Sequence, residues 1–167
     1  MRRVIGFAPL AAVLMVVAGC ASSPAGNASG LGDSRISILE GDRASRRYVL
    51  HVRDSDGEWF HGGGRNAMEG RAPSALSMTE GDRKSIFEAM KTAGWLDAEF
   101  EVDGGDGPRF LEVSIAGGVI ARRFTMLAVD GRFDQGTESI LAILDAIAER
   151  RFQGVLDALP RARPTKP

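Results

Sequence analysis

Apolar and polar residues alternate along three segments in the first half of the chain, which is the pattern of strands with one buried face. The segments are residues 35–39, 48–53 and 58–61. In the second segment one face is formed by Tyr48, Leu50 and Val52. The turn signal at residues 54–57, which ends in glycine, joins the second segment to the third. Together they predict a three-stranded antiparallel meander.

The pattern then changes to helical spacing. The first apolar stripe is formed by Ile86, Phe87, Met90 and Ala93. The sequence offers two alternative capping boxes for the start of this helix, Ser77 with Glu80 or Thr79 with Asp82. Gly94 is placed to end it.

Two further strands and a helix follow. Residues 110–116 and 119–127 are strand candidates, joined by a turn at residues 117–118. The last helix is predicted to begin near Thr137, and its apolar face is formed by Ile140, Leu141, Leu144, Ile147 and Ala148. Apolar residues from Phe152 onward either prolong this helix or form a further turn that packs back.

The order β-β-β-α-β-β-α predicts an α+β fold, with a single, mainly antiparallel sheet and both helices packed on one face. We expect one domain over residues 35–160, with an irregular glycine-rich stretch at residues 62–75. A basic, disordered tail is predicted at residues 161–167.

Composition narrows the class of protein. The chain has 167 residues, 44% hydrophobic and 26% charged, which is typical of a globular protein. Its one cysteine excludes an intrachain disulfide and a cysteine-based zinc cluster. The formal net charge of −1 gives no reason to expect nucleic acid as a partner.

The N-terminus has the pattern of an export signal. Arg2 and Arg3 precede an apolar run at residues 4–18 that is too short to span a membrane. The run ends in Val17, Ala18, Gly19 and Cys20, which resembles the lipobox of bacterial lipoprotein precursors. The alternative is an ordinary signal peptide that carries a cysteine at this place by chance.

The lipoprotein resemblance implies a processing route and an anchor. Residues 1–19 would be a signal peptide recognised through Val17, Ala18 and Gly19, and Cys20 would carry a covalent lipid, with no other cofactor expected. Residues 20–34 then form a flexible tether. The acyl chains would hold the protein at a bacterial membrane. Ala21, where an Asp would favour the inner membrane, favours the periplasmic face of the outer membrane.

A second resemblance concerns the domain itself. The strand-rich start, the capped helix ending in residues 93–96, the hairpin and the final helix are similar in order to emfourin-type proteins. These are small bacterial inhibitors of thermolysin-like metalloproteases. The order is also similar to that of small lipoproteins of unassigned function. The resemblance implies inhibition of such a protease as one alternative function and carries over no residue.

The sequence contains few candidates for metal-binding or ligand-binding residues. The two histidines, His51 and His61, lie on strands joined by the turn at residues 54–57, and with Asp54 or Asp56 they would form a metal site. The other interpretation places both histidines on the solvent face. Arg65 and Asn66, after a run of glycines, and Trp59 are candidates for a binding surface.

No arrangement typical of an enzyme is evident. The chain has no Gly-x-Ser-x-Gly motif, and nothing links a serine to a histidine. We therefore expect a lipid-anchored envelope protein that is not an enzyme and serves as a binding module, with an envelope protein as a candidate partner. Inhibition of a metalloprotease and metal binding through His51 and His61 are the alternatives.

Overall fold

The structure, a computed structural model, describes residues 31–97, 100, 106–117 and 121–158. The strands are β1 (Arg35–Asp42), β2 (Arg47–Arg53), β3 (Trp59–Gly63), β4 (Ser74–Leu76), β5 (Arg109–Ala116) and β6 (Arg122–Leu127). The helices are α1 (Arg65–Met68), α2 (Glu80–Thr92) and α3 (Gln135–Ala158). The strands form one sheet in the order β4-β3-β2-β1-β5-β6, and every neighbouring pair is antiparallel. The predicted α+β class is confirmed.

The central strand β1 sets the face on which the core lies. Ile36 and Ile38 are fully buried, and their partners on β5 are Ile115 and Val113. Because side chains alternate along a strand, these residues share one face of the sheet. The apolar stripes of α2 and α3 pack against this face, contributing Ile86, Met90, Ile140, Leu144 and Ile147 to the same buried cluster. The prediction that both helices cover one face is confirmed.

The second of the two predicted capping boxes starts α2. The Asp82 backbone N–H donates to Thr79 Oγ1 at 3.1 Å, and the Thr79 N–H donates to Asp82 Oδ2 at 2.9 Å. The helix ends before Gly94, whose φ of 76° suits a residue without a Cβ. Local sequence signals therefore define both ends of this helix.

Helix α3 begins two residues before the predicted start at Thr137 and continues through Ala158. The Thr137 N–H donates to Asp134 Oδ1 at 3.0 Å, which caps the first turn. Phe152 and Val155 continue the helix with exposed side chains, so the last turns prolong α3. Within the described ranges no helix combines the length and the apolar character needed to cross a membrane.

The prediction of an irregular stretch at residues 62–75 is wrong. Strand β3 continues to Gly63, and the short elements α1 and β4 follow it. A Cβ at Gly62 would overlap the carbonyl oxygen of Arg71, so glycine allows the returning backbone to lie against the sheet. Helix α1 contacts β2 and β3 and buries Ala67. The face of the sheet away from α2 and α3 is therefore partly covered as well.

A buried arginine fixes the segment that enters β1. Arg53 is 3% exposed, and its guanidinium donates to the carbonyl oxygens of Ser34 and Gly32, the latter at 2.9 Å. Leu31 is buried in the core. The packed part of the chain thus includes residues 31–34, which were predicted as tether.

The close approach at Gly62 predicts a difference between two neighbouring glycines. Gly62→Ala forces its Cβ against the Arg71 backbone and should lower the free energy of unfolding by about 2 kcal/mol. Gly63→Ala is the control, because the nearest atom to its new Cβ, the Tyr48 carbonyl oxygen, is 3.9 Å away. Urea unfolding of both variants measures the difference. Equal urea midpoints for the two variants would contradict the prediction, because they would show that the backbone at residues 71–72 moves aside at no cost in stability.

Candidate functional site

A cavity of about 330 Å³ lies between α3 and one end of β1, β2 and β5. We call it the α3 cavity. It is lined by Glu40, Asp42, Arg47, Val49, Arg109, Glu138, Leu141, Ala142 and Asp145. Four of these side chains are acidic and two are basic, so the lining has an excess of negative charge. The cavity begins where the inward positions of the sheet change from apolar to charged.

Alternation along the strands places these charged groups under the helix. Glu40 follows Ile36 and Ile38 on the inward face of β1, and its partners are Val49 on β2 and Leu111 on β5. On α3, the residues facing the cavity are spaced at three or four positions, from Glu138 to Asp145. The same periodicities that build the core therefore also build the cavity.

Arg109 joins the sheet to α3 through two carboxylates. Its Nε donates to Glu40 Oε1 at 2.9 Å, and its Nη1 and Nη2 donate to the two carboxylate oxygens of Glu138 at 2.7 and 3.2 Å. The guanidinium carbon lies 4.6 Å from the centre of the Phe133 ring. Partial burial opposes ionisation of Glu138, but hydrogen bonds from Arg109 and the Phe133 N–H lower its pKa. Arg109, Glu40 and Glu138 therefore form a hydrogen-bonded network in the cavity wall.

The two histidines lie together beside this cavity. The β2–β3 register places His51 directly opposite His61, with ring centres 5.0 Å apart. His51 is 1% exposed, and its Nε2 lies 3.9 Å from Asp145 Oδ1 on α3. Burial and the neighbouring His61 lower the pKa of His51 to about 3, so its ring is neutral at neutral pH. Burial also lowers the pKa of His61.

The structure corrects one interpretation of these histidines. The placement of His51 on a solvent face is wrong, because β2 turns this residue towards α3. The turn carboxylate Asp54 accepts hydrogen bonds from the N–H groups of Asp56 and Glu58, at 3.0 and 2.9 Å. The carboxylate that approaches His51 is instead Asp145. The part of the chain that the structure describes contains no group of three His, Cys, Asp or Glu side chains arranged to hold a metal ion.

The described residues give Asp145, whose side chain is 57% exposed, no arginine or lysine within ion-pair distance, although the charges of Arg47 and Arg109 favour its ionisation. Its one ion-pair contact among the described residues is to neutral His51. Partial desolvation, followed by the negative charge of Glu40, raises the pKa of its carboxyl. Asp145 and Glu40 thus lie in the same cavity, and Arg109 is hydrogen-bonded to Glu40 and not to Asp145.

The other predicted site residues lie elsewhere. Arg65 is exposed and pairs with Glu69 at 2.6 Å, and Asn66 Oδ1 accepts a hydrogen bond from Arg71 at 3.2 Å. Both lie on or beside α1, away from the α3 cavity. Trp59 is 2% exposed within the core, so its prediction as a surface residue is wrong. Val17, Ala18, Gly19 and Cys20 lie outside the described residues.

Sequence reasoning missed the charged residues of the cavity. Glu40 stands at the next inward position after Ile36 and Ile38, a signal that the alternation contains. Asp145 follows Leu141 by one helical turn, on the side of the apolar stripe. The signal for each residue was present locally, but their meeting depends on how α3 lies across the sheet.

Comparison with protein-family models gives no match for this chain, and comparison with curated proteins gives none either.

The buried His51 predicts a loss of stability in acid. The unfolded chain takes up a proton near pH 6.5, whereas folded His51 takes it up only at about pH 3. Stability from this group is therefore complete above pH 6.5 and falls by roughly 1 kcal/mol per pH unit towards pH 3. His51→Phe, which keeps a ring and does not titrate, should flatten this dependence. Urea unfolding between pH 7 and 4 measures it, and parallel curves for both proteins would contradict the assignment.

Proposed function

We propose that the protein is a lipid-anchored cell-envelope protein whose domain binds a small ligand in the α3 cavity and does not transform it. The lipobox-like residues Val17 to Cys20 support the anchor. The observation that carries the binding function is the α3 cavity, because its charged walls are already positioned by packing and hydrogen bonds. An envelope protein as partner and the emfourin-type alternative stay predictions.

The size and rigidity of the cavity support a small ligand. A volume of about 330 Å³ lies at the lower end of the range of small-molecule sites. Arg109 is held by Glu40, Glu138 and the face of Phe133, so this wall is ordered before a ligand arrives. Ordering in advance lowers the entropy lost on binding.

The state of His51 supports binding without catalysis. A general acid or base works best when its pKa lies near the working pH. Burial instead lowers the pKa of His51 to about 3, which leaves the ring neutral and a poor base. The neighbouring Asp145 faces this neutral ring at 3.9 Å, and within the part of the chain that the structure describes no serine is hydrogen-bonded to it.

The position of the cavity suits an anchored protein. The chain enters β1 at residue 35, and the cavity lies at the other end of this strand, at Glu40 and Asp42. At about 3.3 Å per residue, the two ends are roughly 20 Å apart. A tether that precedes β1 would therefore leave the cavity open to solution.

Loss of Cys20 should release the protein from the membrane. Cys20→Ser removes the thiol that would receive the lipid, so we expect the variant to be recovered in the soluble envelope fraction. Fractionation followed by immunoblotting measures this, with Ser22→Ala as a control that leaves the cysteine in place. If Cys20→Ser remained in washed membranes, another feature would anchor the chain.

Filling the cavity should abolish ligand binding. Ala142 lines the cavity, whereas Ala146, one turn later on α3, is exposed and does not. The small-molecule fraction of an envelope extract should raise the melting temperature of the native protein and of Ala146→Trp, because a ligand stabilises the state it binds. Ala142→Trp should show no such rise. A rise that persists in Ala142→Trp, or is absent from the native protein, would contradict the proposal.

A further inference from the structure

We propose that the α3 cavity selects a small cationic ligand and binds its ammonium group between Asp145 and Glu40. This inference rests on the proposed binding function and names the chemical class of the ligand. It follows from the distribution of charge in the cavity, from the bonding of Arg109 and from the buried ring of His51. The described residues that line the cavity carry four carboxylates against two guanidinium groups.

The positive charge of Arg109 is already engaged. Its guanidinium makes three hydrogen bonds to the carboxylates of Glu40 and Glu138, and its Nη1 also donates to the Gly131 carbonyl oxygen at 3.1 Å. An anionic ligand would have to replace these bonds or use the exposed Arg47, and in either case it would face four carboxylates in the same lining. The excess of negative charge disfavours such a ligand.

Asp145 supplies a carboxylate that forms no ion pair with an arginine or lysine among the described residues. It lines the cavity together with Glu40, and partial burial followed by the like charge of Glu40 raises the pKa of its carboxyl against the opposing charges of Arg47 and Arg109. An ammonium group between the two carboxylates would relieve this repulsion. It would donate a charge-assisted hydrogen bond to each of them. The geometry therefore favours a cation beside Asp145, because the described residues place the charges of Arg47 and Arg109 beyond ion-pair distance of this carboxylate.

The buried ring of His51 next to Asp145 is a second observation. This ring is 1% exposed, its Nδ1 has no hydrogen-bond partner among the described residues, and its Nε2 points to Asp145 at 3.9 Å. That distance is too long for a direct hydrogen bond. A buried polar group usually has a partner. A neutral imidazole has one acceptor nitrogen, so an ammonium group bound between Nε2 and the carboxylate of Asp145 would donate to both.

The ligand is an organic amine and not a bare metal ion. A divalent cation takes several oxygen or nitrogen ligands at fixed distances. No set of three such side chains among the described residues meets this need. An aliphatic amine needs only two acceptors, and its carbon chain finds Val49 and Leu141 in the same lining.

Three probes of equal chain length test the charge preference: 1,4-diaminobutane, succinate and 1,4-butanediol. Each is titrated into the purified protein and followed by NMR at the backbone amides of Ala142 and Asp145. We expect saturable shifts with 1,4-diaminobutane and affinities at least about 10-fold weaker with the other two, the effect of one charge-assisted hydrogen bond. Equal or tighter binding of succinate or the diol would overturn the inference.

Two variants on α3 separate the site from general electrostatics. Asp145→Asn removes the charge and keeps the shape, so the affinity for 1,4-diaminobutane should fall about 10-fold or more. Glu149→Gln is the matched control, because Glu149 is exposed on the same helix and does not line the cavity. Unchanged binding by Asp145→Asn, or an equal loss in both variants, would overturn the inference. Thermal unfolding of both variants verifies that they fold.

The outcomes also distinguish this inference from the proposed function. If succinate or the diol binds and Ala142→Trp blocks it, the cavity is a ligand site and its preference for cations is refuted. If none of the three probes binds and the envelope fraction leaves the melting temperature of the native protein unchanged, both proposals fail.

Discussion

The position of Glu40 on the central strand is the constraint on which the rest of this structure depends. The inward positions of β1 are apolar at Ile36 and Ile38 and acidic at Glu40. A carboxylate at an inward position requires a partner, because its desolvation is costly when unpaired. Arg109 on β5 supplies that partner and at the same time binds Glu138 on α3. One charged residue thus links the centre of the sheet to the helix that covers it.

The two ends of the helix–sheet interface are consequently held in different ways. At the end where β1 begins, apolar side chains such as Ile36 and Ile115 exclude water and supply most of the stability. At the other end, Arg109 remains 23% exposed, so its ion pairs contribute less to stability than buried apolar contacts do. What the pairs do provide is orientation, since a bidentate guanidinium–carboxylate contact fixes α3 over the strands.

Much of the fold was predictable because its signals are local. The alternation in β1 and β2, the Thr79–Asp82 capping box and Gly94 each act within a few residues. The stretch at residues 62–75 was not predictable in this way. Its order depends on a tertiary contact, the passage of the Arg71 backbone over Gly62, which no periodicity within the segment reveals.

The candidate site was less predictable than the fold, and His51 shows why. Alternation in β2 separates Tyr48, Leu50 and Val52 from Val49, His51 and Arg53 but does not say which set faces the helices. The more apolar set suggests itself as the inward one. The structure reverses this, because α1 covers part of the outer face and buries Leu50 there. The polar set consequently faces α2 and α3.

Two inward residues of β2, Arg53 and His51, are polar and buried. Arg53 is satisfied by the carbonyl oxygens of Gly32 and Ser34, which belong to the entering chain. His51 packs against the ring of His61 and leaves Nδ1 unpaired. An apolar side chain of similar size at residue 51 would avoid the cost of burying an unpaired polar atom. Polar groups retained at such a cost are expected where a protein binds something, and this one stands next to Asp145, a carboxylate that forms no ion pair with an arginine or lysine among the described residues.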